Sequence, residues 1–413
     1  MIKLVITSDW HLGNSFHGFD RTEDHRHYFH QLSSLIKSEQ PDALLVGGDI
    51  FDNGNPSATS QRLYFEFLKD ITEQNKGLQV VIIAGNHDSA YRLEAPSPLL
   101  ELSRITVVGT VGRDNDGEVD WGKMAVPVGS IATPGEQLCC LAIPYLRDGD
   151  LPQADTYSQG VRLFVEKVLA EADKKYGTAV PKVMLAHLYA NGSEIAEGSS
   201  ERIVVGGSEQ VDFDSVSPEI AYVALGHIHR RQRVAGRDNM RYCGSALPMS
   251  FTERGYKHGA DILQVQPDGS CTLSSRDFDL LHPLLSFPEK ALPWEEVEKK
   301  IAELPGEDDP QAVRCYLQLN VLMQGADPAL SDKVEKALEG KKVWLCKIQA
   351  AYPAGEDEAE MDDLRSIEVL QQLSPGDMIR KIYKARFRQD LPAELQPLVR
   401  QVVREAEKHN EEN

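Results

Sequence analysis

The chain has 413 residues, with 44 Lys and Arg against 64 Asp and Glu, a formal net charge of −20 at pH 7. A hydrophobic fraction of 41% excludes disorder of the whole chain, and the length suggests two or three domains. No apolar run approaches the roughly 18 residues of a membrane span, MIKLVITSDWHLG turns polar too soon for a signal peptide, and the acidic balance argues at first against a nucleic-acid partner.

Ile2–Ser8 reads as a strand. Asp20-x-x-Glu23 has the spacing of a capping box, and Phe29, Leu32, Leu35 and Ile36 follow at helical spacing. A strand at Ala43–Gly47, a helix over Ser57–Thr72 and a strand at Gln79–Ala84 make a β-α-β-α-β order, which implies a parallel sheet with right-handed crossovers. Strands then follow quickly from Ile105 to Ile143. A helix near Ser158–Tyr176 comes next, with strands at Lys182–Ala186, Tyr222–Leu225, Arg241–Tyr242, Asp261–Gln266 and Cys271–Asp277. The pattern predicts an α/β fold over residues 1–280, a two-sheet sandwich flanked by helices. Alternating strands and helices over 281–350 suggest a small α+β domain. The acid-rich stretch 351–375 reads as a solvated linker. Residues 376–413 read as a helical pair, Asp377–Arg388 and Pro392–Lys408. The six cysteines form no C-x-x-C pair and read as reduced thiols of a cytosolic protein.

Five apolar strands end in side chains able to bind metal: Asp9 and His11, Asp49, Asn86-His87-Asp88, His187, and His227 with His229. Each motif alone is a weak signal, and a surface turn would explain it. Together they are strong, because parallel strands gather their C-terminal ends at one edge, where ligands bind in open α/β sheets. Glycines before several of them permit close backbone approach. Imidazole, carboxylate and amide donors without thiolate favour manganese, iron or magnesium over structural zinc. Asp49, in the middle of the order, is a natural bridge between two divalent ions. Such a pair would clamp the attacking and leaving oxygens of a displacement at phosphorus.

These five motifs, D-x-H, G-D, G-N-H-D, H and G-H-x-H, resemble those of the calcineurin-like metallophosphoesterases. Within that superfamily SDWHLG, GGDIFDNGNPS, GNHDSAYRL, VVGGSE, YVALGHIHRRQRV and YCGSALPMSFTE are similar to the SbcD-type nuclease subunits of bacterial SbcCD complexes, relatives of the eukaryotic meiotic-recombination nuclease. The resemblance covers Met1 to Phe278; beyond that it lies in layout more than in motif. It implies that Asp9, His11, Asp49 and His229 hold one ion and Asp49, Asn86, His187 and His227 the other, with manganese the favoured metal. It makes His87 the catalytic group that steadies the transition state and protonates the leaving 3′ oxygen; Asp88 reads either as the group that orients it or as a simple turn or cap. Asp52 reads either as a group that supports the metal ligands or as a surface acid, the latter slightly preferred. The resemblance further implies 3′-to-5′ exonuclease action on duplex DNA ends and endonuclease action at single strands and hairpins. It implies a cap over 281–350 that shapes access of DNA, and C-terminal helices that grip an SbcC-like coiled-coil ATPase. A cytoplasmic homodimer within a heterotetramer follows from it too. Leu63, Tyr64, Phe67, Leu99 and Leu100 are dimer candidates that core packing explains equally well.

No Arg follows Asp49 closely, and the third motif is GNHD rather than GNHE; both tilt away from phosphoprotein phosphatases. A small-molecule or cyclic-nucleotide phosphodiesterase and a non-catalytic DNA-binding scaffold stay as alternatives. The charge objection weakens locally: His227–His258 holds seven Arg and Lys against Asp238 and Glu253, a net of +5 that begins at a metal motif.

Overall fold

Alternation along the first strand, β1 (Ile2–Thr7), sets the layers: Leu4 and Ile6 belong to one apolar cluster and Val5 to another. Neighbours β2 (Ala43–Val46) and β3 (Gln79–Ile83) repeat this, with Leu45, Val81 and Ile83 on one face and Leu44, Val46, Val80 and Ile82 on the other. Successive side chains of a strand point to opposite faces, so this sheet is buried on both sides. A computed structural model of the chain describes residues 1–114, 116–194, 210–212, 217–325 and 327–352, with isolated positions 383, 392, 395, 396 and 398 beyond them.

Helices α1 (Thr22–Glu39) and α2 (Ala58–Gln74) cover one face through Phe29, Leu32, Ile36, Leu63, Phe67 and Ile71. The expected capping box is absent. Arg21 is the N-cap of α1 without a side-chain cap bond, and Asp20 instead accepts from the Thr22 N–H in a short local turn. The N-cap of α2 is Ser57, whose Oγ accepts from the Ser60 N–H at 3.1 Å.

Further strands are β4 (Ile105–Val108), β5 (Ala125–Gly129) and β6 (Gln137–Ile143). After α3 (Tyr157–Tyr176) come β7 (Lys182–His187), β8 (Ile220–Gly226), β9 (Gln232–Arg233) and β10 (Met240–Tyr242), then β11 (Gly259–Val265) and β12 (Cys271–Asp277). The first sheet has the order β12-β11-β1-β2-β3-β4, parallel from β1 to β4 and antiparallel beyond. The second runs β9-β10-β8-β7-β6-β5, with a parallel centre and antiparallel edges. One apolar cluster joins the inner face of the first sheet to the second sheet and to Phe164, Val165 and Val168 of α3. The fold is thus mixed α/β, two six-stranded sheets with helices.

The chain divides after Leu281 into two compact units. In the second, β13 (Leu284–Leu292), α4 (Trp294–Ala302), β14 (Cys315–Leu322), α5 (Leu330–Ala337) and β15 (Val343–Ala351) form a three-stranded sheet with two helices. The expectation of an α+β unit is corrected: all three strands are parallel, so each helix is a crossover and the unit is β-α-β-α-β. Its core contains Val297, Ile301, Leu317, Leu319 and Val334.

The linker expected at 351–375 and the helical pair at 376–413 fall outside the described residues except for single positions, as does VVGGSE. Of the dimer candidates, Leu63, Tyr64 and Phe67 are buried and Leu100 packs on the same core, whereas Leu99 is 73% exposed. All six cysteines are free thiols. No helix among the described residues is long and apolar enough to cross a membrane.

Candidate metal centre

The chain leaves β1, β2, β3, β7 and β8 at neighbouring C-terminal edges, and every motif residue named above lies there. The loops after β1 and β2 are knitted by backbone bonds: Asp9 N–H to Gly48 O (3.0 Å) and His11 N–H to Asp49 O (2.9 Å). Asp9, His11, Asp49 and His227 all have positive φ, at 51°, 48°, 48° and 100°. Such backbone costs roughly 1–3 kcal/mol per residue in non-glycine residues and persists where surrounding contacts enforce it. At Gly85 a side chain would collide with the Asp49 carboxylate, and at Gly226 with the Gly47 carbonyl, so only glycine lets these edges meet.

Asp49 lies at the centre. Its Oδ2 is 3.6 Å from His11 Nε2 and 3.5 Å from His187 Nε2, imidazoles supplied by different sheets. Its Oδ1 accepts from the His87 N–H at 2.9 Å. Asn86 Oδ1 sits 3.0 Å from both His187 Nε2 and His227 Nδ1. The Asp9 carboxylate accepts from the His227 N–H at 3.0 Å and from the Ser8 hydroxyl. One donor atom each from Asp9, His11 and His229 lies within 4.8 Å of the others, and the same holds for Asp9, Asp49 and His187. The site therefore has a His11–His229 side and a His187–His227–Asn86 side, with both carboxylates between them.

The donor set fits cations. Asp9 and Asp49 are buried, and among the described residues no Lys or Arg pairs with either. Buried carboxylates without a cation are costly. His11 Nε2 is buried without a hydrogen-bond partner, as an imidazole nitrogen reserved for a metal would be. In the protein alone a proton serves instead. Burial opposes charge on both members of the His187–Asp49 pair, yet Asp49 raises His187 to about 9, and His187 followed by His11 holds Asp49 well below the usual carboxylate range. His227 is pushed down to about 3, by burial first and then by the neighbouring His187.

Of its two readings, Asp88 has the contacts of a turn-tying acid: its carboxylate accepts from the N–H groups of Gly85 (2.9 Å), Ile50 (3.1 Å) and Phe51 (2.9 Å), joining the loop after β2 to the loop after β3. Burial and then Asp49 push its pKa up to about 7. The His87 ring is held by a backbone group: its Nδ1 donates to the Asp52 carbonyl at 2.9 Å. For Asp52 the contacts fit the supporting reading rather than the slightly preferred surface one. Its Oδ1 accepts from Asn14 Nδ2 (2.9 Å) and lies 3.6 Å from His11 Nδ1. The Asp49-x-x-Asp52 spacing is the available sign of it. Glu253 has no such sign: fully buried, it faces His229 Nδ1 at 3.4 Å from 24 residues further along the chain.

Residues 2–231 match the calcineurin-like phosphoesterase family, and residues 281–387 match the family described as type 5 capsule protein repressor C-terminal domain. The chain is 32% identical over 363 residues to the SbcD subunit of nuclease SbcCD from Rhodobacter capsulatus, covering 85% of this chain and 88% of the relative. It is 33% identical to the Bacillus subtilis SbcD protein over 66% of this chain and 68% of that one, and 31% identical to that of Escherichia coli K12 over 62% of each. The chain thus belongs to the calcineurin-like phosphoesterases and, within them, to the SbcD family of SbcCD nuclease subunits.

Proposed function

We propose that the chain is a DNA nuclease that hydrolyses phosphodiesters at this pocket, with Asp9, His11, Asp49 and His229 holding one divalent ion and Asp49, Asn86, His187 and His227 a second. The observation that carries the reading is the Asp49 Oδ2 atom set between His11 and His187, 3.6 and 3.5 Å from their Nε2 atoms, as a bridging carboxylate would be. The ions, manganese the favoured one, would supply charge stabilisation at phosphorus and a lowered pKa for the attacking water. His87 acts beside them. Because its Nδ1 proton is fixed on the Asp52 carbonyl, Nε2 is the atom free to carry a proton to the leaving 3′ oxygen. Asp88 serves this chemistry by locking the two loops that carry Asp49 and His87.

In this reading residues 1–280 are the nuclease domain, 281–350 the cap, 351–375 the linker and 376–413 the segment that binds a coiled-coil ATPase. The relatives' naming as one subunit of nuclease SbcCD supports such a partner. The substrates are DNA duplex ends, hairpins and single strands, the exonuclease polarity is 3′ to 5′, the assembly contains a homodimer of this chain, and the location is cytoplasmic. The test is manganese-dependent cleavage of end-labelled duplex and hairpin DNA by the chain with its ATPase partner. Failure to cut any DNA would sink the reading. Far better turnover of a cyclic nucleotide than of DNA would move it to the small-molecule phosphodiesterases.

A further inference from the structure

The imidazoles around Asp49 differ in what stands behind them. On one side, His11 Nδ1 lies 3.6 Å from the Asp52 carboxylate, and His229 Nδ1 lies 3.4 Å from both oxygens of Glu253. On the other, His187 Nδ1 donates to the neutral Gly47 carbonyl at 2.8 Å. His187 thus has a neutral backbone group, and no charge, hydrogen-bonded behind its ring. A carboxylate on the far nitrogen of a ligating imidazole fixes the ring and makes the near nitrogen a stronger donor, and its loss costs roughly 10–100-fold in metal affinity.

We infer that the two ion positions are unequal: the His11–His229 side, backed by Asp52 and Glu253, binds its ion more tightly and fills first, while the His187–His227 side binds the second ion weakly and exchanges it. This rests on the two-ion reading above. Glu253 and Asp52 are positioning residues in it, acting through His229 and His11. Glu253 is well placed for the task. It is wholly buried, its Oε2 accepts from the Met249 N–H at 2.8 Å and its Oε1 from Ser250 Oγ at 3.2 Å, so its carboxylate is held by the 249–253 turn as it meets the imidazole. Asp52 is steadied by Asn14.

The experiment is a manganese titration of the metal-free full chain, with free aquo-manganese followed by its electron paramagnetic resonance signal. Wild type should show two classes of site separated at least about tenfold. Glu253→Gln, which keeps the side chain's shape and an acceptor oxygen but removes its charge, should weaken the tight class about tenfold or more and leave the weak class within about twofold. Asp52→Asn should act the same way on the same class, and it keeps the inference testable if Glu253→Gln does not fold. His227→Ala should abolish the weak class and spare the tight one. Two equal sites in wild type, or Glu253→Gln and Asp52→Asn moving both classes alike or neither, would overturn the inference while leaving the two-ion reading intact. No manganese binding by wild type would overturn that reading itself.

Discussion

A backbone carbonyl, that of Asp52, decides what His87 can do. By accepting a hydrogen bond from Nδ1–H it leaves Nε2 as the working atom, and it does so without placing a charge behind the ring. His87→Ala should therefore keep its manganese content, measured by elemental analysis, and lose about 10²–10⁴ in turnover. Loss of metal in that variant would contradict the role. His258 predicts a pH effect on folding. It is buried, Nδ1 donates to the Ser245 carbonyl at 2.9 Å, Nε2 has no hydrogen-bond partner, and burial pushes its pKa down to about 4. The unfolded chain takes up this proton below its ordinary 6.5, the folded chain only near 4, so His258's contribution is whole above about 6.5 and is lost as pH falls through 4. Between pH 7 and 4.5 that amounts to about 2 kcal/mol. Urea midpoints of the metal-free chain should fall less over that interval in His258→Asn than in wild type; equal falls would refute it.

At the scale of elements, the two-residue alternation and the strand-ending motifs are readable in the sequence because they are local. Expected strand Ile2–Ser8 is found at Ile2–Thr7, and expected helix Ser57–Thr72 at Ala58–Gln74. What lies beyond reading depends on contacts distant in the chain. The direction of β13 to β15 is set by crossovers that place α4 and α5 over their sheet, and the Glu253–His229 contact joins segments whose meeting no spacing encodes. The capping box fails for a different reason: Asp20 satisfies its side chain in a turn one step before the helix. Glycines at the strand ends make an element-scale prediction. In Gly226→Ala the new Cβ meets the backbone of Gly47, which cannot swing aside, so manganese affinity should fall at least about tenfold and the melting temperature should drop. Gly255→Ala, which meets nothing within 4 Å, should leave both unchanged.

For the whole molecule, ion pairing changes what the charge of −20 and its local exception mean. The +5 counted over His227–His258 is not a free basic surface. Arg230 pairs with Glu194, Arg231 with Asp261 and Asp277, Arg233 with Asp238, and Arg241 with Asp261. Glu194, Asp261 and Asp277 lie outside that stretch, so a count within it could not see them. With these cations engaged, the isolated chain should grip few phosphates. The slope of log binding constant against log salt, measured by fluorescence anisotropy on duplex DNA, should correspond to fewer than about four contacts. It should steepen when the ATPase partner is added. A slope of about −8 for the chain alone would show a basic surface that these pairs do not leave.

The Gly47 carbonyl, on the first sheet, holds the ring of His187, on the second, and Asp49 reaches both. The pocket is consequently a caliper whose two jaws are the sheets. Divalent ions tolerate little error in ligand distance, so a slight repacking of the layer between the jaws would be read out at the pocket before it endangered the fold. Ile143→Val, in that layer and paired with Ala186 just before His187, should cost only about 1 kcal/mol in stability yet alter manganese affinity measurably. An unchanged affinity at that stability cost would mean that the jaws hold their spacing without help from the core.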